Sequence, residues 1–105
     1  MIRHVFMWKL INDQDAEKVI DLLDQLSKKY DFILDWSRGS HAGEPNENGD
    51  PWAGALITDF ATWDDLETYS TDDFHMEVVA QLLPLMSDRA VVDFIIDQPA
   101  AGGTA

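Results

Sequence analysis

The chain opens with strict alternation. Over residues 2–10 one face carries Ile2, His4, Phe6, Trp8 and Leu10, and the other carries Arg3, Val5, Met7 and Lys9, which is the period of a strand. The period then changes. Val19, Leu22, Leu23, Leu26 and Tyr30 fall at helical spacing, with Asp21, Asp24, Lys28 and Lys29 turned outward, and Asn12 or Asp13 is placed to cap that helix. Ile33 to Ser40 reads as a second strand, in which Gly39 marks a bulge or a close backbone approach. His41 to Pro51 holds two glycines and two prolines among polar residues and reads as a loop. Ala53 to Phe60 is a third strand. Thr62 and Asp65 form a capping box for a short helix through Leu66 and Tyr69. Thr71 is placed to cap a longer helix from Asp72 to about Ser87, and Pro84 predicts a kink or an early end there. Ala90 to Asp97 is a fourth strand. The spacing therefore predicts one domain over 1–97 and a small-residue, flexible C-terminal tail over 98–105.

A β-α-β-β-α-β order is the ferredoxin-like arrangement of the α+β class, with both helices on one face of a four-stranded antiparallel sheet. The other face then needs cover. The fourth strand is apolar on both sides, with Ala90, Val92, Phe94 and Ile96 on one and Val91 and Ile95 on the other. Val5 and Met7 are expected to extend the second set. A strand with two apolar faces in a single small domain implies a partner, and a symmetric homodimer with its sheets face to face supplies one.

Charge narrows the choice of partner. The 20 acids, 15 of them aspartate, stand against 7 bases and give a formal net charge of −13. Such a surface repels phosphate backbones and anionic bilayers, so neither nucleic acid nor membrane is expected as a partner. Hydrophobic residues make up 46% of the 105, enough for a core. Cysteine is absent, which excludes disulfides, thiolate metal sites and a cysteine nucleophile. No apolar run is long enough to cross a bilayer. Met1-Ile2-Arg3-His4 leads directly into strand-like sequence, so a cytoplasmic location is expected.

The residue that stands out chemically is His75. It continues the apolar stripe of Val78, Val79, Leu82, Leu83 and Met86, so an ionisable ring is aimed at the interior. Such a ring needs either a hydrogen-bond partner, for instance Tyr69 or a backbone carbonyl, or a chemical role. His4 shares its strand face with Phe6 and Trp8 and suits either a pocket wall or the sheet–helix interface. Trp8, Trp36, Trp52 and Trp63 suit a pocket for an aromatic or acyl ligand, core packing or dimer contact. Asp93 reads as a structural hydrogen-bond acceptor. His4, His41 and His75 come from separate elements, and no His-x-x-x-His or Glu-x-x-His pair occurs, so no metal site is expected.

Taken in order, several segments resemble the stress-responsive A/B barrel family, Dabb, over nearly all of 1–97. They are Ile2-Arg3-His4-Val5-Phe6, Gly39, Trp52 to Phe60, Trp63 to Tyr69, His75 six residues beyond Tyr69, Leu82-Leu83-Pro84-Leu85 and Val91-Val92-Asp93-Phe94. The resemblance implies a dimeric α/β barrel with a pocket between sheet and helices in each subunit. Its best understood activity is that of plant olivetolic acid cyclase, an intramolecular aldol closure of a polyketide thioester. The cyclase's catalytic tyrosine and histidine match Tyr69 and His75, and its strand-one pocket histidine matches His4. Two positions depart from the pattern: Gly54 stands where a strand-three pocket histidine is usual, and Asp73 replaces a proline before the helical histidine.

The resemblance thus implies a catalytic His75 and Tyr69 and substrate contacts at His4, Phe6, Trp8 and Val79, acting on a small apolar or aromatic carbonyl compound without cofactor. A neutral histidine is a suitable base for a proton beside a carbonyl, and a tyrosine hydroxyl can hold the developing oxyanion. A non-catalytic ligand-binding dimer is the alternative. A cofactor-free or haem-dependent monooxygenase is a further one, resting on fold analogy.

Overall fold

The structure, a computed structural model, describes residues 1–97; the expected tail over 98–105 lies outside the described residues. Its elements are β1 (Ile2–Leu10), α1 (Ala16–Ser27), β2 (Asp35–Ser40), β3 (Gly54–Phe60), α2 (Trp63–Thr71), α3 (Asp73–Leu82) and β4 (Met86–Ile95). The strands form one antiparallel sheet in the order β2-β3-β1-β4, with the helices on one face. This is the ferredoxin-like α+β fold expected from the pattern. Among the described residues no helix is long and apolar enough to cross a membrane.

Local chemistry sets the boundaries. Asn12 Oδ1 accepts from the Gln14 N–H and starts a 3-10 turn, Asp13–Asp15, that runs into α1. Thr62 Oγ1 accepts from the Asp65 N–H at the head of α2. One cap and three boundaries differ from those expected. Thr71 does not cap α3; its hydroxyl donates back to the Glu67 carbonyl, and Asp72 is the cap, accepting from the Phe74 N–H at 3.1 Å. α3 stops at Leu82, about five residues early, because Pro84 has no N–H and sits in a 3-10 turn, Leu83–Leu85. β4 accordingly begins at Met86, not Ala90. The Ile11 N–H donates to the Leu85 carbonyl at 3.0 Å, which draws this polar stretch alongside the end of β1. β2 begins at Asp35, two residues late, although the Leu34 N–H already bonds to the Asp59 carbonyl.

Register assigns the faces. Toward the helices point Ile2, His4, Phe6 and Trp8, opposite Phe60, Thr58, Leu56 and Gly54 on β3 and opposite Ile95, Asp93, Val91 and Arg89 on β4. The core gathers there: Trp8, Leu23, Leu26, Leu56, Phe60, Tyr69 and Val78 are all buried. Full burial of such side chains contributes about 1.5–3 kcal/mol each. On the open face Val5 pairs with Val92 and Met7 with Ala90, so these two residues join the Val92–Phe94 set, not the Val91–Ile95 set. Ile57, Val92 and Phe94 remain 36%, 55% and 43% exposed on that face of the single chain.

Gly39 forms neither a bulge nor a close approach; its register is regular and nothing lies within 4 Å of where a Cβ would stand. The tight glycine is Gly54. A Cβ there would meet Trp8 Cζ2 at 2.3 Å, Trp8 Cε2 at 2.7 Å and the Gly39 carbonyl oxygen at 2.8 Å. Trp8 is 1% exposed and cannot swing aside. Gly54→Ala is therefore expected to cost about 1–3 kcal/mol in urea unfolding, as an overpacked core does. Trp8→Phe removes the clashing ring atoms, so the double variant should be less destabilised than the sum of the two single changes. Strict additivity would show that the Trp8–Gly54 contact is not what forbids a side chain there.

Candidate active site

Between α3 and the β1–β4 half of the sheet lies a cavity of about 330 Å³. Its floor is apolar, with Leu23 and Leu26 from α1 and Leu56 from β3. Phe6, Val79 and Val91 form the sides. His4, Tyr69 and His75 bring polar atoms into it, and Arg89 stands on the β4 side. Five of the residues expected at the site thus line one cavity, His4 and Phe6 from the sheet and Tyr69, His75 and Val79 from the helices. Trp8 does not. Its ring lies over Gly54 in the core, so the expectation of a ligand contact at Trp8 is corrected: the space is taken by the sheet's own packing. None of the four tryptophans lines the cavity. Trp36 Nε1 donates to Asp24 Oδ1, Trp52 lies under Lys9 Nζ at 4.8 Å, and Trp63 is exposed. His41 lies on the loop after β2, where its N–H bonds to the Ala53 carbonyl, and does not line the cavity either.

The pair at the centre is positioned by Asp72. This residue ends α2 and caps α3 in an extended conformation, so Tyr69, three residues before it, and His75, three residues after it, turn toward each other. Their ring centroids are 4.5 Å apart at 60°. Asp72 also accepts from the Tyr30 hydroxyl at 2.7 Å, which ties the junction to the end of α1. Tyr69 is packed edge-on to Tyr30 at 5.3 Å and against Phe60 at 5.1 Å. These rings leave it one orientation.

Burial sets the protonation states. Desolvation raises the Tyr69 hydroxyl far above the usual tyrosine range, and neighbouring Tyr30 adds to the rise, so Tyr69 stays a proton donor. Tyr30 is pushed up to about 12, first by desolvation and then by its bond to Asp72. His75 moves the other way, below the ordinary 6.5. Desolvation is the main cause and His4 the second, while the Ser70 backbone and Asp72 pull weakly against them. His75 is therefore neutral at pH 7. Its Nδ1 is buried and, with Thr58 Oγ1, is one of two buried side-chain polar atoms without a hydrogen-bond partner among the described residues. Nδ1 thus makes no hydrogen bond to Tyr69, and the Ser70 backbone is the main-chain group that acts on the ring.

His4 is held differently. Its Nδ1 faces Asp93 Oδ1 on the neighbouring strand, directly opposite in register. With Nδ1 donating to the carboxylate, Nε2 is left as the acceptor. The His4 and Tyr69 rings meet edge to face at 6.3 Å. Asp93 is thus a hydrogen-bond acceptor, as expected, but its partner is a residue of the cavity wall. Arg89 is a wall residue without a signal in the sequence, because the helix is expected to run to about Ser87 and the strand to begin at Ala90, which leaves Arg89 in the connection. Among the described residues no group of three or more His, Cys, Asp or Glu side chains is placed to hold a metal ion.

Comparisons with known proteins agree on the architecture. A dimeric ferredoxin-like protein of unknown function from Thermobifida fusca superposes with a TM-score of 0.77 at 21% identity, over 90% of each chain. The hydroxynitrile lyase of Passiflora edulis superposes at 0.76 with 16% identity, over 92% of this chain and 94% of the lyase. A Dabb family protein with a ferredoxin-like fold from Mesorhizobium loti gives 0.74 at 11% identity, over 92% of this chain and 97% of its own. At such identities the likeness is one of fold. No curated protein matches the sequence. Residues 2–96 match the stress responsive A/B barrel domain. That match takes in every strand and helix described above, and the chain belongs to the stress-responsive A/B barrel (Dabb) family.

Proposed function

We propose that this protein is a small-molecule enzyme of the lyase or isomerase type, moving a proton beside the carbonyl of an apolar or aromatic compound as polyketide cyclases do. The observation that carries the reading is His75: a neutral, unpartnered imidazole nitrogen buried against a protonated tyrosine in an apolar cavity. In the proposed step His75 takes a proton from the carbon beside the carbonyl. Tyr69 donates a hydrogen bond to the oxygen as it gains negative charge. The enolate carbon attacks a second carbonyl of the same molecule, and the alkoxide so formed takes the proton back from His75. Base catalysis of this kind is worth roughly 100- to 10,000-fold, and one oxyanion donor about 100- to 1,000-fold. Phe6 and Val79 supply apolar contact, and Asp93 orients His4.

Enolisation is measurable without the natural substrate. Benzoylacetone in heavy water should exchange its central protons faster with the protein than without it. His75→Ala should remove at least about 99% of that acceleration, and Tyr69→Phe should remove less. Because His75 titrates below 6.5, the rate should rise with pH and level off before an ordinary histidine would. Benzoylacetone that binds without accelerated exchange in the wild type would leave the non-catalytic binding protein as the better reading.

The second part of the proposal is a homodimer. Val5, Met7, Ile57, Val92 and Phe94 form an apolar stripe on the face of the sheet that no helix covers, and a dimeric protein shares the fold. At micromolar concentration sedimentation should give twice the 11.9 kDa of one chain. Val92→Asp should shift it to the single mass, since a buried unpaired carboxylate is not tolerated in such an interface. A wild-type monomer would overturn this part.

A further inference from the structure

The charge on the cavity wall is opposite in sign to that of the rest of the molecule. The chain carries 20 acids among 105 residues and a net charge of −13, yet none of the 15 residues lining the cavity is Asp or Glu. The one permanently charged residue there is Arg89, and the ionisable rings are those of His4, His75 and Tyr69. The other two arginines are occupied: Arg3 holds Asp59 through two bonds of 2.9 Å, and Arg38 holds Asp24 at 2.7 and 2.6 Å. Arg89 has no carboxylate partner among the described residues. The adjacent Asp88 accepts only the Arg89 backbone N–H, and by strand alternation its side chain belongs to the opposite face. Asp93, on the same face as Arg89, is engaged by His4.

We propose that the cavity selects an acidic ligand, an apolar carbonyl compound whose carboxylate is held by Arg89. This rests on the reading of the cavity as a small-molecule site and adds the charge of the molecule it takes. A planar guanidinium presents two parallel donors to a carboxylate, a geometry that favours it over an alcohol or amide of the same size. Arg89 stands opposite Trp8, four residues along β1 from His4, which is roughly 13 Å of strand. The arginine side chain spans part of that length. The ligand is therefore an elongated acid, with its carboxylate at the β4 side of the mouth and its reacting carbonyl between Tyr69 and His75. A cation is disfavoured by the same wall.

Two ligands of one chain length and different headgroup test this. N-phenylnaphthylamine, a neutral dye that brightens in apolar cavities, serves as reporter, and decanoate and decanol serve as competitors at pH 7.5. In Arg89→Gln the concentration of decanoate needed to displace the dye should rise about tenfold, while decanol and the dye itself stay within about twofold of wild type. Arg89→Lys should fall between, keeping the charge without the fork. Unchanged dye and decanol binding also shows that the variant is folded. If decanoate is unaffected by Arg89→Gln while the dye binds normally, the acid preference is wrong and the cavity reading stands. If neither dye nor decanol binds the wild type, the cavity reading fails and takes this inference with it.

Discussion

A helical layer that leaves one strand of four uncovered determines where this molecule has room for a ligand. α1 packs over β2 and α2 over β3, while β4 carries no helix of its own and is exposed along most of its length. Where α3 stops short of β4, the apolar side chains of the two cannot close on each other, and the gap is the cavity. The early end of α3 at Leu82, imposed by Pro84, returns the chain to the sheet through a short turn and opens β4 at Met86. Leu83 and Arg89, only six positions apart in the chain, thereby stand among the residues around the same opening. A longer α3 would have carried Met86 onward as helix and left no wall on that side.

Within this gap two histidines are treated unequally by their surroundings. His4 has a carboxylate opposite it in the ladder, and its Nδ1 is engaged there. His75 has none in contact. Asp72, at the head of the same helix, accepts from both the Phe74 N–H and the Tyr30 hydroxyl on one oxygen, Oδ2, and it opposes the depression of His75 only weakly. A charge on His4 further disfavours one on His75. Of the two rings, the one facing Tyr69 is therefore the one whose burial keeps it free of charge. Tyr69, raised far from its own ionisation, keeps its hydroxyl proton beside that neutral ring.

Much of this is legible in the sequence. The period-2 run from Ile2 to Leu10, the stripe from Val19 to Leu26 and the helical His75 each reflect burial, which local pattern records directly. Pattern also turns Tyr69 and His75 inward on consecutive helices, but their pairing as a site comes from the family resemblance and not from the stripes. What stays hidden depends on pairing. That Asp93 faces His4 is a fact of register between strands 89 residues apart. The strand character of Met86 to Arg89 is masked because Ser87, Asp88 and Arg89 are polar and follow a helical stripe, and the Ile11–Leu85 hydrogen bond that draws them into the sheet has no local signature. Arg89 escapes notice for that reason alone. The alignment of Val5 and Met7 with Val92 and Ala90 is inverted by the same ignorance of register.

Trp8 and Gly54 show how one packing decision shapes the site. The indole occupies the volume that any side chain at position 54 would need, so the β3 wall at this end of the sheet can offer no polar group. Any side chain at position 54, histidine included, is excluded here by steric overlap. His4, Tyr69 and His75 cluster at one end of the cavity. On β4, directly across from Trp8, Arg89 stands at the other end. Phe6 and Val91, paired between these positions in the ladder, and Leu56 beside them form the apolar wall that separates the two polar regions. A ligand that satisfies both regions must be apolar in its middle and polar at two points, a stricter requirement than the volume of the cavity alone imposes.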